Sequence, residues 1–176
     1  GQGRLEQLGH PADGESVELG QSVLAKFELL KAAGFEGIEI DSPSSYDLDE
    51  VLAAMAKTGI EVAGTVDSVH WSQTLGDPDP AVRAKGVAAL ETALRDAKKL
   101  RATSVLLVPA VVNAVISYDD AWKRSSAEIA KVLPLAAELG VHISIENVWN
   151  HFLLSPLEAA RYVDQFESPL VGWHMD

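Results

Sequence analysis

The sequence contains no cysteine, no long apolar run and few basic residues, and each of these absences removes a class of protein. Without cysteine, disulfide bonds and thiolate metal sites are excluded. No apolar stretch approaches the roughly 18 residues that a membrane-spanning helix requires. Lys and Arg number 14 against 26 Asp and Glu, and the net charge is −12. This balance argues against nucleic acids and anionic membrane surfaces as partners, because phosphate groups are bound by clustered basic side chains.

Several motifs of nucleotide-binding and hydrolytic enzymes are also missing. The chain has no P-loop, no Gly-x-Gly-x-x-Gly, no His-Glu-x-x-His and no Gly-x-Ser-x-Gly. Residues 1–20 lack the basic and then apolar order of a signal peptide. Nucleotide and serine-hydrolase functions therefore have no local support, and a cytoplasmic location is the default expectation.

The overall amino-acid composition is that of one globular domain. Of the 176 residues, 47% are hydrophobic and only 23% are charged, which is typical of a folded chain. Residues 1–20 read as a polar, irregular segment. We therefore predict an irregular N-terminal segment at 1–20 and a single domain at 21–176.

Within this domain, amphipathic helical patterns alternate with short β-rich runs. The predicted helices cover residues 22–33, 48–57, 79–100, 118–139 and 156–166. The predicted strands cover residues 35–40, 60–66, 104–108, 141–146 and 170–176. Strands joined by helices form parallel sheets, so the pattern predicts a five-stranded parallel α/β sheet.

Two architectures fit five parallel strands, and the order of side chains along each strand favours one of them. His142, Ser144 and Glu146 share one face of their strand, and the alternate residues are apolar. His174 and Asp176 likewise share one face of the last strand. Central strands of a doubly wound sheet are apolar on both faces, whereas a (β/α)₈ barrel places catalytic groups at the carboxyl ends of its strands. We therefore predict an incomplete TIM-type barrel, with a five-stranded doubly wound sheet as the alternative.

Glu146 and Asp176 are the residues in this pattern that best suit catalytic chemistry. Each ends a predicted strand, and the two strands follow one another along the chain. Carboxylate oxygens are ligands for hard divalent cations such as Mg²⁺ and Mn²⁺. Two carboxylates are too few to hold a catalytic ion, so the remaining ligands would come from other strands. His70 and Trp71 follow the second predicted strand, where an imidazole and an indole would line a sugar pocket.

The chain resembles a known family at these same residues. The similarity begins near Ser22, and its most specific part is the run from Ile145 to Glu158. Further matching segments are 34–39, 68–71, 77–83, 105–109 and 171–176. The family is that of the xylose-isomerase-like barrels that isomerise or epimerise sugar phosphates. The branch of L-ribulose/L-xylulose 5-phosphate 3-epimerases and hexulose-phosphate isomerases is the most similar.

This resemblance implies a metal-dependent enzyme that moves a proton beside a carbonyl. It implies one divalent cation (Mn, Mg, Co or Zn) held by Glu, Asp, His and Glu from four successive strand ends, of which Glu146 and Asp176 match the first two. Glu146 would also be an acid/base, and the reaction would pass through an enediolate. The expected contacts to the sugar or sugar phosphate are made by Glu39, His70, Trp71, Asn147 and Trp149. The matched part comprises about five of the eight βα units of a full barrel.

Other functions remain open on the same scaffold. Hydroxypyruvate isomerase and inosose dehydratase activities use similar barrels, and a non-catalytic barrel fragment or binding module would explain an incomplete ligand set. An open barrel also has two unpaired edge strands, which favour association with another chain. We therefore expect a homo-oligomer.

Overall fold

A computed structural model describes residues 22–175 of the chain. The predicted irregular segment 1–20 and the predicted ligand Asp176 lie outside the described residues. The helices are α1 (Val23–Ala32), α2 (Leu48–Thr58), α3 (Pro80–Leu100), α4 (Tyr118–Leu139) and α5 (Pro156–Asp164). The strands are β1 (Gly37–Ser42), β2 (Glu61–Asp67), β3 (Ser104–Leu107), β4 (His142–Ile145) and β5 (Val171–Trp173). All ten elements lie within two or three residues of their predicted bounds.

Each helix begins where a short polar side chain accepts a hydrogen bond from the first turn. Asp79, for example, accepts from the backbone N–H of Ala81 at 2.8 Å, and Pro80 occupies the first turn of α3. Ser155 and Pro156 start α5 in the same way. These contacts satisfy backbone donors that have no partner inside the helix. The Asp77-Pro78-Asp79-Pro80 segment is thus a turn that leads into the first turn of α3.

The ends of three helices adopt a left-handed backbone. Gly59 and Gly140 do so with φ of 73° and 66°, as expected for glycine. Arg101 ends α3 with φ of 63°, although it carries a β-carbon that disfavours this conformation. The helix therefore ends at the same kind of turn even where the sequence supplies no glycine.

The sheet has the strand order of a barrel. The five strands are all parallel and lie side by side in chain order, β1-β2-β3-β4-β5. A doubly wound sheet would reverse its strand order at a switch point. The (β/α) barrel prediction is therefore confirmed, and the doubly wound alternative does not describe this sheet.

The two faces of the sheet differ as the alternation predicts. One row of paired residues crosses all five strands and is buried against the helices: Ile40, Thr65, Val105, Ile143 and Val171. Leu90 and Leu94 of α3 are fully buried in the core formed with this row. The opposite face carries a row of polar residues, Glu39, Ser104 and His142, together with Gly64. None of the helices between residues 22 and 175 is both long and apolar enough to cross a membrane.

Candidate active site

Glu146 lies directly after β4, and backbone hydrogen bonds on both sides fix its position. Its own N–H donates to the carbonyl oxygen of Leu107 on β3 at 3.0 Å. On the other side, the N–H of His174 donates to the carbonyl oxygen of Ile145 at 2.8 Å. The side chain is buried, with 8% of the residue exposed. A buried carboxylate is thus held at the carboxyl end of β4, between the ends of β3 and β5.

On the face of the sheet that points away from the helices, the inner face, paired residues of neighbouring strands form successive rows. The predicted site residues Glu39 and Glu146 lie in different rows. Glu39 pairs with Gly64, which pairs with Ser104, which in turn pairs with His142. His142 precedes Glu146 by four residues, a distance of about 13 Å along a strand. Glu39 therefore lies two rows below Glu146, and the structure does not bring them together.

Gly64 makes room for Glu39 in this lower row. A β-carbon at Gly64 would lie 2.8 Å from Oε1 of Glu39 and 3.2 Å from Oγ of Ser104. The glycine thus allows a carboxylate to lie across the inner face of β2. The lower row is polar, unlike the apolar layers that usually fill a barrel interior.

His70 lies on the other side of the end of β3 from Glu146. Its Nδ1 accepts a hydrogen bond from the backbone N–H of Val108 at 3.4 Å. Only 5% of the residue is exposed, and burial lowers the pKa of the imidazole to about 4. His70 and Glu146 therefore flank the last residues of β3, and His70 is neutral at physiological pH.

Trp71 packs edge-on against this imidazole. The two ring centroids are 5.0 Å apart with an interplanar angle of 75°. Half of Trp71 is exposed, so the indole offers an accessible surface beside a buried histidine. Such a surface is suited to stacking on the C–H groups of a sugar.

The β2–α3 loop (residues 68–79) carries His70 and Trp71 and is anchored on two helices. A β-carbon at Gly86 of α3 would lie only 2.2 Å from the carbonyl oxygen of Gln73, so the loop backbone rests directly on the helix. The Arg83 guanidinium donates to the carbonyl oxygen of Asp77 at 2.8 Å and to Oε1 of Glu128 on α4 at 3.0 Å. The helices α3 and α4 therefore fix where the two aromatic residues lie.

The loop after Glu146 is held at its far end. Asn150 is 1% exposed, and its side-chain N–H donates to the carbonyl oxygen of Ala110 at 2.9 Å. Phe152 is buried among the aromatic rings of α4 and α5. Between Glu146 and these anchors, Asn147 is exposed and Trp149 is fully exposed. The sequence interpretation missed Asn150, whose signal is an Asx turn two residues before a buried aromatic.

Asp67, at the end of β2, was also missed. It has the helix-facing parity of Thr65, whose hydroxyl donates to the carbonyl oxygen of Ala93 in α3. It is 1% exposed, and its Oδ1 accepts from the N–H of Val69 at 3.3 Å. Burial raises the pKa of this carboxyl to about 7, while the hydrogen bond from Val69 opposes the rise. The signal in the sequence is an acid that continues the buried side of a strand.

The described residues do not by themselves form a metal site. Among residues 22–175, no group of three or more His, Cys, Asp and Glu side chains is placed to hold a metal ion. Glu146 has the oxygen chemistry and the strand-end position that a hard cation favours. Glu146 is therefore suited to be one ligand of a metal ion, but the described residues do not complete a coordination sphere.

A separate cavity of about 400 Å³ lies beside α5 and β5. Its lining is mostly apolar and includes Leu153, Val163, Trp173 and Met175. Asn147 is the lining residue closest in sequence to Glu146. This cavity lies at β5, the edge strand of the described sheet, and neither His70 nor Glu146 lines it.

Comparison with known families agrees with this architecture. The family model for xylose isomerase-like TIM barrels matches residues 27–176 of the chain. The chain belongs to that family. This membership confirms the resemblance drawn from the sequence motifs. No curated protein sequence matches the chain.

Several solved structures share the fold. The apo form of YcjR, a 3-keto-D-glucoside 4-epimerase of E. coli, is 22% identical with a TM-score of 0.76, over 90% of this chain and 65% of that one. D-psicose 3-epimerase of Clostridium cellulolyticum H10, solved with D-tagatose, is 23% identical with a TM-score of 0.71, over 84% and 55% of the two chains. The IolI protein with a zinc atom is 18% identical with a TM-score of 0.67, over 87% and 57%. The chain thus spans between 55% and 65% of the length of these proteins.

Proposed function

We propose that the chain forms the catalytic part of a ketose or ketose-phosphate epimerase or isomerase. The observation that carries this proposal is the buried side chain of Glu146, whose backbone N–H is fixed after β4 by a hydrogen bond to Leu107 of β3. In a barrel of this family, the carboxyl ends of the strands are where catalytic groups lie. A small sugar is the expected partner.

Glu146 is proposed as the acid/base of the reaction. Its carboxylate takes the proton from the carbon next to the ketose carbonyl, and the C–H electron pair forms the double bond of an enediolate. A second acid on the opposite face, which is not among the described residues, would return a proton to that carbon to give the epimer. Return of the proton from Glu146 to the former carbonyl carbon, with loss of the hydroxyl proton of the first carbon to form the new carbonyl, would give the isomer. Burial protects the enediolate from uncontrolled protonation by water.

A divalent cation is proposed beside Glu146, with Glu146 and Asp176 as two of its ligands. Mn²⁺, Mg²⁺, Co²⁺ and Zn²⁺ all suit a site that includes carboxylates, and the neighbour IolI holds zinc. When bound, such an ion would polarise the carbonyl and stabilise negative charge on the enediolate oxygens. Residues 22–175 contain no group of three or more His, Cys, Asp and Glu side chains placed to hold an ion, and Asp176 lies outside that range.

The sugar contacts are proposed from exposed side chains around the end of β3 and β4. Trp71 and Trp149 offer ring faces for C–H groups, and Asn147 offers an amide for hydroxyl groups. His70 belongs to the same group of contacts. Glu39, two rows lower, would reach only a ligand that extends into the barrel.

The solved neighbours support the substrate class. Two of them are named as epimerases, one of a 3-keto-D-glucoside and one of D-psicose. Both sugars carry a ketone beside an epimerisable carbon. Removal of the proton from such a carbon is the step proposed for Glu146. Hydroxypyruvate isomerisation and inosose dehydration remain alternatives on the same scaffold, and a binding module without catalysis is the third.

Solvent isotope exchange tests the proposed function. The protein is incubated with Mn²⁺ in D₂O and with D-psicose, D-tagatose, their phosphates, hydroxypyruvate or an inosose, and deuterium at the carbon beside the carbonyl is followed by proton NMR. Exchange with a ketose or ketose phosphate is the expected result. Exchange confined to hydroxypyruvate or the inosose would support the alternative enzymes. Binding of ketose without any exchange would support the binding module.

A further inference from the structure

The contact between His70 and Val108 determines which nitrogen of the imidazole carries the proton. A backbone N–H can only donate, so Nδ1 of His70 must be the unprotonated, accepting nitrogen. In a neutral imidazole the other nitrogen then bears the hydrogen. His70 therefore has a donor at Nε2 and has its acceptor already engaged.

The Nε2–H group has no hydrogen-bond acceptor among residues 22–175. The Val108 hydrogen bond and the edge contact with Trp71 are the interactions of this ring within the described part of the chain. The residue is nevertheless 95% removed from solvent, since only 5% is exposed. Buried donors in folded proteins are almost always paired, and an unpaired one costs free energy. This donor therefore points to a partner that is not part of the described fold.

The surrounding contacts hold the loop that carries His70 against α3 and α4. The loop backbone lies against Gly86, and Gly76 packs with its α-carbon region against Ala110 and Ala121. Arg83 ties the same loop to α4 through Glu128. A donor held by a rigid framework is preorganised, so a ligand would bind it without ordering the loop.

The position of the donor relative to Glu146 follows from their shared neighbours on β3. His70 binds the N–H of Val108 on one side of the strand, and Glu146 binds the carbonyl oxygen of Leu107 on the other. Adjacent strands are about 4.8 Å apart, so the two residues flank the strand end at a separation of roughly 10 Å. A sugar whose reacting carbon lies at Glu146 can extend its other oxygens towards His70.

We propose that His70 is a fixed hydrogen-bond donor, through Nε2–H, to an oxygen of the bound ketose. This inference rests on the proposed function and assigns His70 a role different from that of Glu146. His70 binds and orients the sugar and does not transfer a proton. Burial holds the pKa of its imidazole near 4, so the donor is present throughout the neutral pH range.

Two substitutions distinguish the roles of the two ring nitrogens of His70. Asparagine places an amide at the position of Nδ1, so His70→Asn keeps an acceptor for Val108 but removes the donor at Nε2. Glutamine places an amide N–H near the position of Nε2, so His70→Gln keeps the donor but removes the acceptor. His151→Asn is the matched control, because His151 is exposed and its φ of 57° suits asparagine.

Calorimetric titration with D-psicose and D-tagatose, in the presence of Mn²⁺, gives the decisive comparison. We expect His70→Asn to weaken ketose binding about tenfold while its Tm stays near that of the unmodified protein. We expect His70→Gln to keep the affinity within about threefold and to have a lower Tm. His151→Asn should change neither quantity. The opposite pattern, with full affinity in His70→Asn and loss in His70→Gln, would overturn the proposal and leave His70 a loop anchor.

Nitrogen-15 NMR of the histidine rings provides a test that needs no substitution. At pH 7 we expect His70 to show a protonated Nε2 and an unprotonated Nδ1, and the Nε2 resonance to shift when D-psicose is added. A ring that shows the other tautomer, or an Nε2 signal unchanged while D-psicose binds, would contradict the proposal but leave the proposed function intact. A protein that binds no ketose at all would overturn the proposed function together with this contact.

Discussion

At the scale of single residues, two buried ionisable groups in one short turn have opposite effects on stability. Burial raises the pKa of Asp67 from 3.8 to about 7 and lowers the pKa of His70 from 6.5 to about 4. Asp67 therefore contributes stability that is present below pH 4 and is lost as the pH rises through 7. His70 contributes stability that is present above pH 6.5 and is lost as the pH falls through 4. Over the same pH range, the two contributions largely offset each other.

Replacing Asp67 by Asn should remove the pH-dependent contribution of Asp67 to stability and leave that of His70. Since one pKa unit corresponds to about 1.4 kcal/mol, ionising Asp67 in the folded protein costs on the order of 4 kcal/mol above pH 7. We expect Asp67→Asn to raise the free energy of unfolding at pH 8 by up to about that amount and to change it little at pH 4. The amide still accepts from Val69. Urea denaturation at a series of pH values measures the effect.

The matched control is Asp41→Asn, which removes an exposed carboxylate from the neighbouring strand. Its free energy of unfolding should follow that of the unmodified protein within about 0.5 kcal/mol across the series. If Asp67→Asn follows the same course as Asp41→Asn, the carboxyl of Asp67 does not carry the pH dependence assigned to it.

At the scale of elements, the close contact between α3 and the β2–α3 loop determines where His70 and Trp71 lie. Gly86→Ala tests this contact, because helix propensity and the steric clash predict changes in stability of opposite sign. By helix propensity alone, alanine in place of glycine should stabilise the protein by up to about 1 kcal/mol. Because the new β-carbon would meet the carbonyl oxygen of Gln73 at 2.2 Å, we expect a loss of about 1–3 kcal/mol instead, measured by urea denaturation.

Gly172→Ala is the corresponding control in β5. A β-carbon there meets nothing within 4 Å, so the substitution should be neutral or slightly stabilising. Acrylamide quenching of the tryptophan fluorescence should increase in Gly86→Ala, because displacing the loop exposes more of Trp71. A stabilised Gly86→Ala variant with unchanged quenching would mean that the loop is not held by this contact.

The sequence predicts the elements well because their signals are local. Apolar spacing of three and four residues and an N-terminal Ser or Asp locate the helices without reference to the rest of the chain, and a glycine after the last turn marks the ends of α2 and α4. The place of Glu146 directly after β4 is predicted in the same way, from strand parity and position, while its role stays a proposal. The anchoring of His70 could not be predicted, because it depends on Val108 and Gly86, which are distant in sequence. Asp67 and Asn150 were missed for the same reason, since burial of a polar residue is a property of the packed structure.

At the scale of the whole molecule, the open sheet and its apolar border favour association. Within the described residues, β1 and β5 are paired on one side only. Leu157 is 74% exposed at the start of α5, close in sequence to the residues that line the 400 Å³ cavity. We expect the 176-residue chain to form dimers or larger assemblies in sedimentation velocity experiments, with the fraction increasing with protein concentration.

Leu157→Lys should shift this distribution towards the monomer, since a charge would have to be desolvated in the contact. Val115→Lys is the control, because Val115 is 77% exposed in the loop before α4 and does not line the cavity. A monomer at all concentrations would contradict the expected homo-oligomer. An equal effect of the two substitutions would mean that association does not involve the α5 side of the sheet.

The central claim is that Glu146 transfers the proton beside the ketose carbonyl, and Glu146→Gln tests it most directly. Glutamine preserves the size of the side chain and its capacity to hydrogen-bond but cannot accept the proton. With Mn²⁺ and the ketose that the unmodified protein exchanges in D₂O, we predict that deuterium incorporation slows by at least about 100-fold in Glu146→Gln. Glu138→Gln, at an exposed position of α4, should exchange at the original rate. Exchange at the original rate in a folded Glu146→Gln protein would contradict the assignment of Glu146.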